Sequence, residues 1–371
     1  MGREELKIIY LLDDFETNYP RDQNYIIKYM MEKGHSVEVL ASLNQKTYYD
    51  SIYFPKVKIQ RSPVVFRFKK AKIYFHPNIV RKLRQVYDVV HSFTFFTYSS
   101  LYALSLKSSI KLIRAEIGPP NGLNFFKAQR GIYSLLISLY RKYYDYFTVF
   151  NEVEAKSLEL LGFSRRNIII LPPTIDFELF SSLQKKNIDD FITIGTIARI
   201  SPEKGVHRLV PIMKKILENK PNFRRKIKLI LAGRIDNSKY AEKVISNLRN
   251  ILGSGFTYMG EVAPPYEFYK NVDVTVVPSL TETGAIVVLE AMAAGKCVIA
   301  SDIYPINLYI TNGRNGFLFN DSGEAAKLII DILEGSVDLK SISTEAKKYA
   351  TKYDYKIVYR KLEEIYYGNI K

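Results

Sequence analysis

Four side chains in this sequence have the types and spacing to hold a charged, hydroxylated ligand. Arg199 and Lys204 stand five residues apart in GTIARISPEK, which opens at Gly195 and reads as a strand, a glycine turn and the mouth of a helix. Across such a junction both cations can reach one diphosphate, the guanidinium as a planar fork and the ammonium as a point charge. The plainer reading of the pair is two solvated loop residues. Glu282 and Glu290 fall in SLTETGAIVVLEAMAAGKCVIA, where an acidic loop precedes a helix over Ala285–Ala294 and a strand over Cys297–Ala300. A helix starting near Gly284 would turn free N–H groups and its positive dipole end toward the crevice that Glu282 borders, which suits an anion flanked by hydroxyl groups. The competing reading leaves Glu282 solvated and Glu290 on a helix surface. The combination favours the ligand, because open parallel sheets bind outside the carboxyl ends of their strands and both loops belong there. Arg234, in LAGR, and Asp236 occupy a similar strand-end loop.

The elements that must position these residues follow βαβ grammar. Lys7–Leu12 reads as a strand, Asp22–Glu32 as a helix and Val37–Leu40 as the next strand. No glycine occurs between Asp13 and Gln23, so this half has no phosphate-cradling turn of its own. A strand is expected at Val64–Phe68, helices at about Asn78–Tyr87 and Thr97–Leu106, and strands at Asp88–His91, Lys111–Arg114 and Tyr146–Asn151. The polar stretch Ser181–Asp190 reads as a linker, after which the grammar restarts with a strand at Phe191–Ile194 and a helix over Gly205–Glu218. The near-continuous apolar run VTVV at Val274–Val277 fits a parallel strand buried on both faces. The expected fold is α/β with domains over 1–185 and 186–352 and a last helix within 353–371.

Length and composition bound what remains. A chain of 371 residues, 47% apolar, favours two or three domains with their own cores. No run approaches a spanning helix, and MGREELKIIYLL has acidic residues where a signal peptide needs a basic start. The expectation is a cytoplasmic protein, with attachment to the inner membrane face left open. One cysteine, Cys297, and four scattered histidines argue against a disulfide framework or a zinc site, and no metal is expected. Net charge is +16, and Pro55–Arg84 holds ten Lys or Arg residues and no Asp or Glu. That stretch, and the aromatic, basic segment 123–144 (LNFFKAQRGIYSLLISLYRKYY), suit an anionic membrane surface. The plain alternatives are surface solvation and a helix packed on the sheet.

The spacing of Glu282 and Glu290, with EAMAAG, VIAS, GTIARISPEKG, LAGR and NGFLF, resembles the retaining nucleotide-sugar glycosyltransferases often called family 4. The resemblance is good over about Ile188–Asn320, moderate over Tyr146–Phe180 and weak before that. It implies a GT-B fold: two facing Rossmann-like domains, the donor held by the second, and a C-terminal helix crossing back to the first. It also implies that Arg199 and Lys204 hold the donor diphosphate and that Glu282 contacts the transferred sugar. By the same resemblance Glu290 binds the ribose, and Thr283, Gly284 and Ala285 lend backbone N–H groups to the phosphate. The expected ligand is a UDP- or GDP-sugar, with no cofactor.

The sequence departs from that pattern in three places. Relatives carry an aromatic residue and then glycine where Gly284 and Ala285 stand. DVVHSF keeps His91 but has Phe93 where the relatives have a second histidine, and Glu116 precedes Ile117-Gly118 where they have histidine-glycine. His91, Phe93 and Glu116 are the candidates on the acceptor side, with a structural role for His91 as the alternative. A rival class is a polyanion- or nucleic-acid-binding protein on an inactive transferase fold, which the basic stretch and the missing histidine favour. Retention of both carboxylates and both cations speaks against it, so nucleic acid is not the expected partner.

Overall fold

The computed structural model describes residues 4–12, 15, 22–42, 54–62, 64–68, 71–74, 85–93, 98–115, 129–183 and 191–368. They belong to two compact units, Met1–Thr174 with Tyr355–Lys371, and Ile175–Asp354.

The first unit contains β1 (Lys7–Leu12), α1 (Asp22–Glu32), β2 (Ser36–Ser42), β3 (Lys58–Ser62), a hairpin of β4 (Val64–Phe68) and β5 (Ala71–Tyr74), and β6 (Val86–Ser92). It continues with α2 (Tyr98–Tyr102), β7 (Lys107–Arg114), α3 (Ile132–Tyr143), β8 (Tyr146–Val149), α4 (Glu152–Leu160) and β9 (Ile168–Ile170). Seven strands make one parallel sheet in the order β3-β2-β1-β6-β7-β8-β9. Residues 8–12 of β1 are buried without alternation because helices cover both faces of such a sheet. The expected helix running to Tyr87 is corrected: Val86 and Tyr87 open β6, paired with Lys107 and Ser108 of β7. Pairing and the burial of Tyr87, whose hydroxyl donates to Gln85 Oε1 at 2.8 Å, override the helical pattern. β3 and the partner strand β5 were not expected.

The second unit runs α5 (Phe177–Ser181), β10 (Ile192–Ile197), α6 (Leu209–Asn219), β11 (Ile227–Ala232), α7 (Ser238–Leu252), β12 (Phe256–Tyr258), α8 (Tyr266–Tyr269) and β13 (Val274–Val277). Then come α9 (Ile286–Ala293), β14 (Cys297–Ser301), α10 (Ile306–Tyr309), β15 (Phe317–Phe319), α11 (Ser322–Leu333) and α12 (Leu339–Ala350). Its six-stranded parallel sheet has the order β12-β11-β10-β13-β14-β15. The order reverses between β10 and β13, and at such a reversal the flanking loops diverge and leave a crevice. One core lies between the sheet and α6, α7 and α11, and the other gathers α8, α9 and α10.

The division between units falls at Thr174–Ile175, ahead of the expected boundary at 185. Ile175, Phe177 and Phe180 pack into the second unit's core, and Ile175 N–H donates to Tyr353 O at 3.0 Å. The last helix, α13 (Tyr355–Tyr366), belongs to the first unit. There Tyr355 stacks on Tyr25 of α1 with ring centroids 5.4 Å apart, and Tyr359 OH donates to Asp22 O at 3.1 Å.

Candidate functional site

Two loops of the second unit meet at the β10/β13 reversal. The loop after β10 ends in a 3-10 turn, Pro202–Lys204, and then Gly205 at φ 61°. A Cβ on Gly205 would lie 2.0 Å from Pro278 O, so only glycine lets this loop close on the one after β13. Glu203 O accepts from Leu280 N–H at 2.9 Å and Thr281 N–H at 3.3 Å, stitching the loops together. Lys204 Nζ consequently reaches Glu282 Oε2 at 2.8 Å, and Ser279 Oγ donates to Glu282 Oε1 at 2.7 Å. The Glu282 side chain is only 8% exposed, so its carboxylate is fixed, with a lone pair left on each oxygen. Lys204 spends one of its N–H groups on that pair and keeps two.

α9 starts just beyond Glu282. Ala285 precedes it at φ 47°, ψ 40°, a left-handed conformation that costs a non-glycine residue about 1–2 kcal/mol. Tyr309 OH donates to Gly284 O at 3.1 Å and holds the turn. Further along α9, Glu290 is buried rather than on the helix surface, and Tyr269 OH donates to its Oε2 at 3.0 Å. Burial pushes the Glu290 carboxyl up to about 8, against the lowering effect of the Tyr269 bond. At neutral pH this acid is therefore largely protonated.

A second charged group surrounds the end of β11. Asp236 receives Arg199 on Oδ2 and Arg234 Nε on Oδ1, the latter at 3.2 Å, and Arg199 Nη2 also lies 3.1 Å from Glu203 Oε1. Partial burial would raise the Asp236 carboxyl, but the hydrogen bond and charge of Arg199, joined by Arg234, hold it below its ordinary value. Asp236 thus presents two guanidinium groups together. Gly233 permits this loop, since a Cβ there would lie 1.7 Å from Ala198 O. Gly195 is corrected to a core residue: it sits within β10, and a Cβ would lie 2.4 Å from Val272 Cγ1 and 2.6 Å from Phe268 Cζ.

In the first unit, His91 and Phe93 lie at the carboxyl end of β6 and stack with centroids 4.8 Å apart. His91 Nδ1 is 2.7 Å from Tyr366 OH of α13. Burial, then the charge of Arg114, pull the His91 imidazole down to about 3, so it is neutral at pH 7. Glu116 lies outside the described residues, as do Lys69, Lys70, Arg81, Lys82 and Arg84.

Residues 180–351 match the family model described as glycosyl transferases group 1. The solved structure of HepE from Anabaena in complex with UDP superposes with a TM-score of 0.75, covering 98% of this chain and 100% of that one at 15% identity. The chain has the GT-B fold. Among curated proteins, a lipopolysaccharide 1,2-N-acetylglucosaminetransferase of Salmonella typhimurium is 30% identical over 194 residues, 49% of this chain and 50% of that protein. An alpha-monoglucosyldiacylglycerol synthase of Acholeplasma laidlawii is 32% identical over 184 residues, 48% of this chain and 44% of that protein. The matches therefore span about half the length of these relatives. In this GT-B chain the family match contains Arg199, Lys204, Arg234, Glu282 and Glu290, and none of the acceptor-side candidates.

Sequence reading missed Ser279 and Tyr269 as partners of the two carboxylates, and Arg208. Their partners lie elsewhere in the loop, on another helix or on other strands, and no local spacing announces them. Asp236 was noticed only as a loop residue. Its position two residues beyond Arg234 was the available signal.

Proposed function

We propose that this chain is a retaining glycosyltransferase of the family 4 type, moving a hexose-type sugar from a UDP- or GDP-sugar to a lipid-linked or polysaccharide acceptor. The observation that carries it is the 2.8 Å Lys204–Glu282 pair at the strand-order reversal, inside the segment that matches the family. There a cation and a carboxylate stand side by side as a sugar diphosphate requires. Arg199 and the two spare N–H groups of Lys204 face the leaving diphosphate, with the backbone N–H groups of Thr283, Gly284 and Ala285 beside them. Positive potential set in place beforehand stabilises the charge that gathers there as the bond to the anomeric carbon breaks. The free lone pairs of Glu282 accept from sugar hydroxyls, and Glu290, further along α9, takes the ribose. The acceptor oxygen attacks from the face the diphosphate leaves, and its proton passes to the departing phosphate oxygen, so no protein base is needed. Arg234, paired with Arg199 through Asp236, supplies a further cation to the nucleotide. His91, Phe93 and Glu116 are assigned to the acceptor side.

Two similarities support the nature of the substrates. The HepE structure holds UDP, and the two curated relatives are named for a lipopolysaccharide and a glycosylated diacylglycerol. A membrane-borne acceptor also fits α3, where Ile132 is 70% and Leu135 62% exposed, with Arg130 just before the helix and Arg141 and Lys142 in its last turn. On that support we assign the protein to the inner, cytoplasmic face of a membrane. Among the described residues no helix is long and apolar enough to cross one.

The test is transfer from a panel of UDP- and GDP-sugars to membrane lipid extracts. Lys204→Ala and Arg199→Ala should each lower turnover by about two orders of magnitude while circular dichroism stays that of the wild type. Near wild-type turnover in the Lys204 variant would sink the assignment.

A further inference from the structure

Four residues past Lys204, at the end of the 3-10 turn Val206–Arg208, stands an arginine that binds no charged partner in its own loop. Arg208 Nη1 donates to Ser301 Oγ at 2.6 Å and to Pro278 O at 3.3 Å, and Nη2 donates to Asn320 O at 2.7 Å. Its guanidinium also lies 4.8 Å from the centre of the Phe319 ring. The three acceptors sit at the carboxyl ends of three adjacent strands, β13, β14 and β15. One planar fork rooted in the loop after β10 therefore ties down every strand end on its far side.

We propose that Arg208 is a positioning residue that sets the geometry of the Lys204–Glu282 pair, an inference that rests on the donor site proposed above only for its functional consequence. The route is short and passes through the backbone. Pro278 O is the carbonyl against which Gly205 closes, and it is held by Arg208. The next residue, Ser279, holds Glu282, and Glu282 holds Lys204. Pro278 is buried, so without the fork its carbonyl loses a donor that water cannot readily replace. Lysine at 208 would keep the charge but offer a point, not a plane with several N–H groups in fixed directions. The loop after β13 would then lose its register with the loop after β10, and Lys204 would separate from Glu282.

The experiment uses the full chain and the variants Arg208→Lys, Lys204→Ala and the double variant, all well below their melting temperatures. The first readout needs no nucleotide. Limiting acetic anhydride is applied, and acetylation of Lys204 is read by peptide mass spectrometry against the exposed Lys214. The expected result is a rise of about threefold or more in the Lys204 to Lys214 ratio on Arg208→Lys, since a paired amine is the slower nucleophile. An unchanged ratio overturns the inference whatever else is seen, and a drop in melting temperature alone would mean that Arg208 merely stabilises the unit. The second readout is UDP and GDP affinity by calorimetry. Arg208→Lys should weaken binding by about tenfold in the wild-type background and hardly at all beside Lys204→Ala, because residues acting through one another are non-additive. Equal factors in both backgrounds overturn the inference. Should the wild type bind neither nucleotide while the acetylation ratio rises, the positioning role stands and the donor-site reading falls.

Discussion

Glu290 gives the second unit a pH dependence with a definite sign. Its carboxyl is raised from 4.5 to about 8 in the folded protein, so between those values the native state binds a proton that the unfolded chain does not. Stability from this group therefore falls as pH rises from about 5 to 8 and is level above that. Glu290→Gln, which keeps the shape and cannot ionise, should flatten the slope of urea midpoint against pH over that window. Parallel slopes for variant and wild type would contradict the assignment. At this scale the residue types of the candidate site could be proposed from sequence, because Arg, Lys and Glu near strand-end loops are the types a sugar diphosphate would need. Their pairing was not. Lys204 and Glu282 are 78 residues apart, and only the sheet order makes them neighbours. The burial of Glu290 was equally hidden, since its neighbours in sequence do not reveal that Tyr269 covers it.

The elements that could be read were those buried on both faces. β1 and β13 are near-continuous apolar runs, KIIYLL and VTVV, as strands buried on both faces tend to be. β3 escaped notice because KIQRS is a half-exposed edge strand with little apolar content. α3 is the element whose surface asks for an experiment. Ile137 and Tyr140 face the core, while Ile132, Leu135 and Tyr143 remain exposed on the same 12-residue helix, with Arg141 and Lys142 in its last turn. An apolar stripe rimmed by cations is suited to lie at an anionic lipid surface. Replacing Ile132 and Leu135 by serine should cut co-sedimentation with phosphatidylglycerol vesicles by about tenfold or more, while leaving the melting temperature within a few degrees. Unchanged sedimentation would leave α3 as an ordinary surface helix. The basic residues Lys56, Lys58 and Arg61 are weaker candidates, for Lys58 already pairs with Glu38 and Arg61 lies 5.6 Å from the Phe15 ring.

At the scale of the molecule, two units of the same layered architecture were expected from the restart of the strand-helix alternation, and the return of α13 from the family resemblance. What holds α13 was not legible, because its partners are hydroxyls and carboxylates scattered over the first unit. Asp22 Oδ2 takes Arg114 at 2.8 Å, while its Oδ1 takes Thr174 N–H and Oγ1, each at 2.8 Å. Tyr359 OH closes the group at Asp22 O, and Glu363 accepts from Tyr29 OH at 3.0 Å and pairs with His35 at 3.3 Å. Tyr359→Phe should cost the first unit about 1–3 kcal/mol, the usual result of stranding buried partners. Hydrogen exchange provides the check: protection should fall in α1 and α13 and stay constant in β10–β15. Equal loss in both units would mean that α13 is not the first unit's own element.

The same arrangement bears on synthesis. Residues 175–354 are contiguous and can fold once they have emerged from the ribosome. The first unit, although made earlier, cannot finish before them. Tyr29 waits for Glu363, 334 positions downstream, and His91 waits for Tyr366, 275 positions downstream. For that interval the nascent chain carries the bare apolar surface that α13 will cover, so the N-terminal half of the protein is the last to be completed.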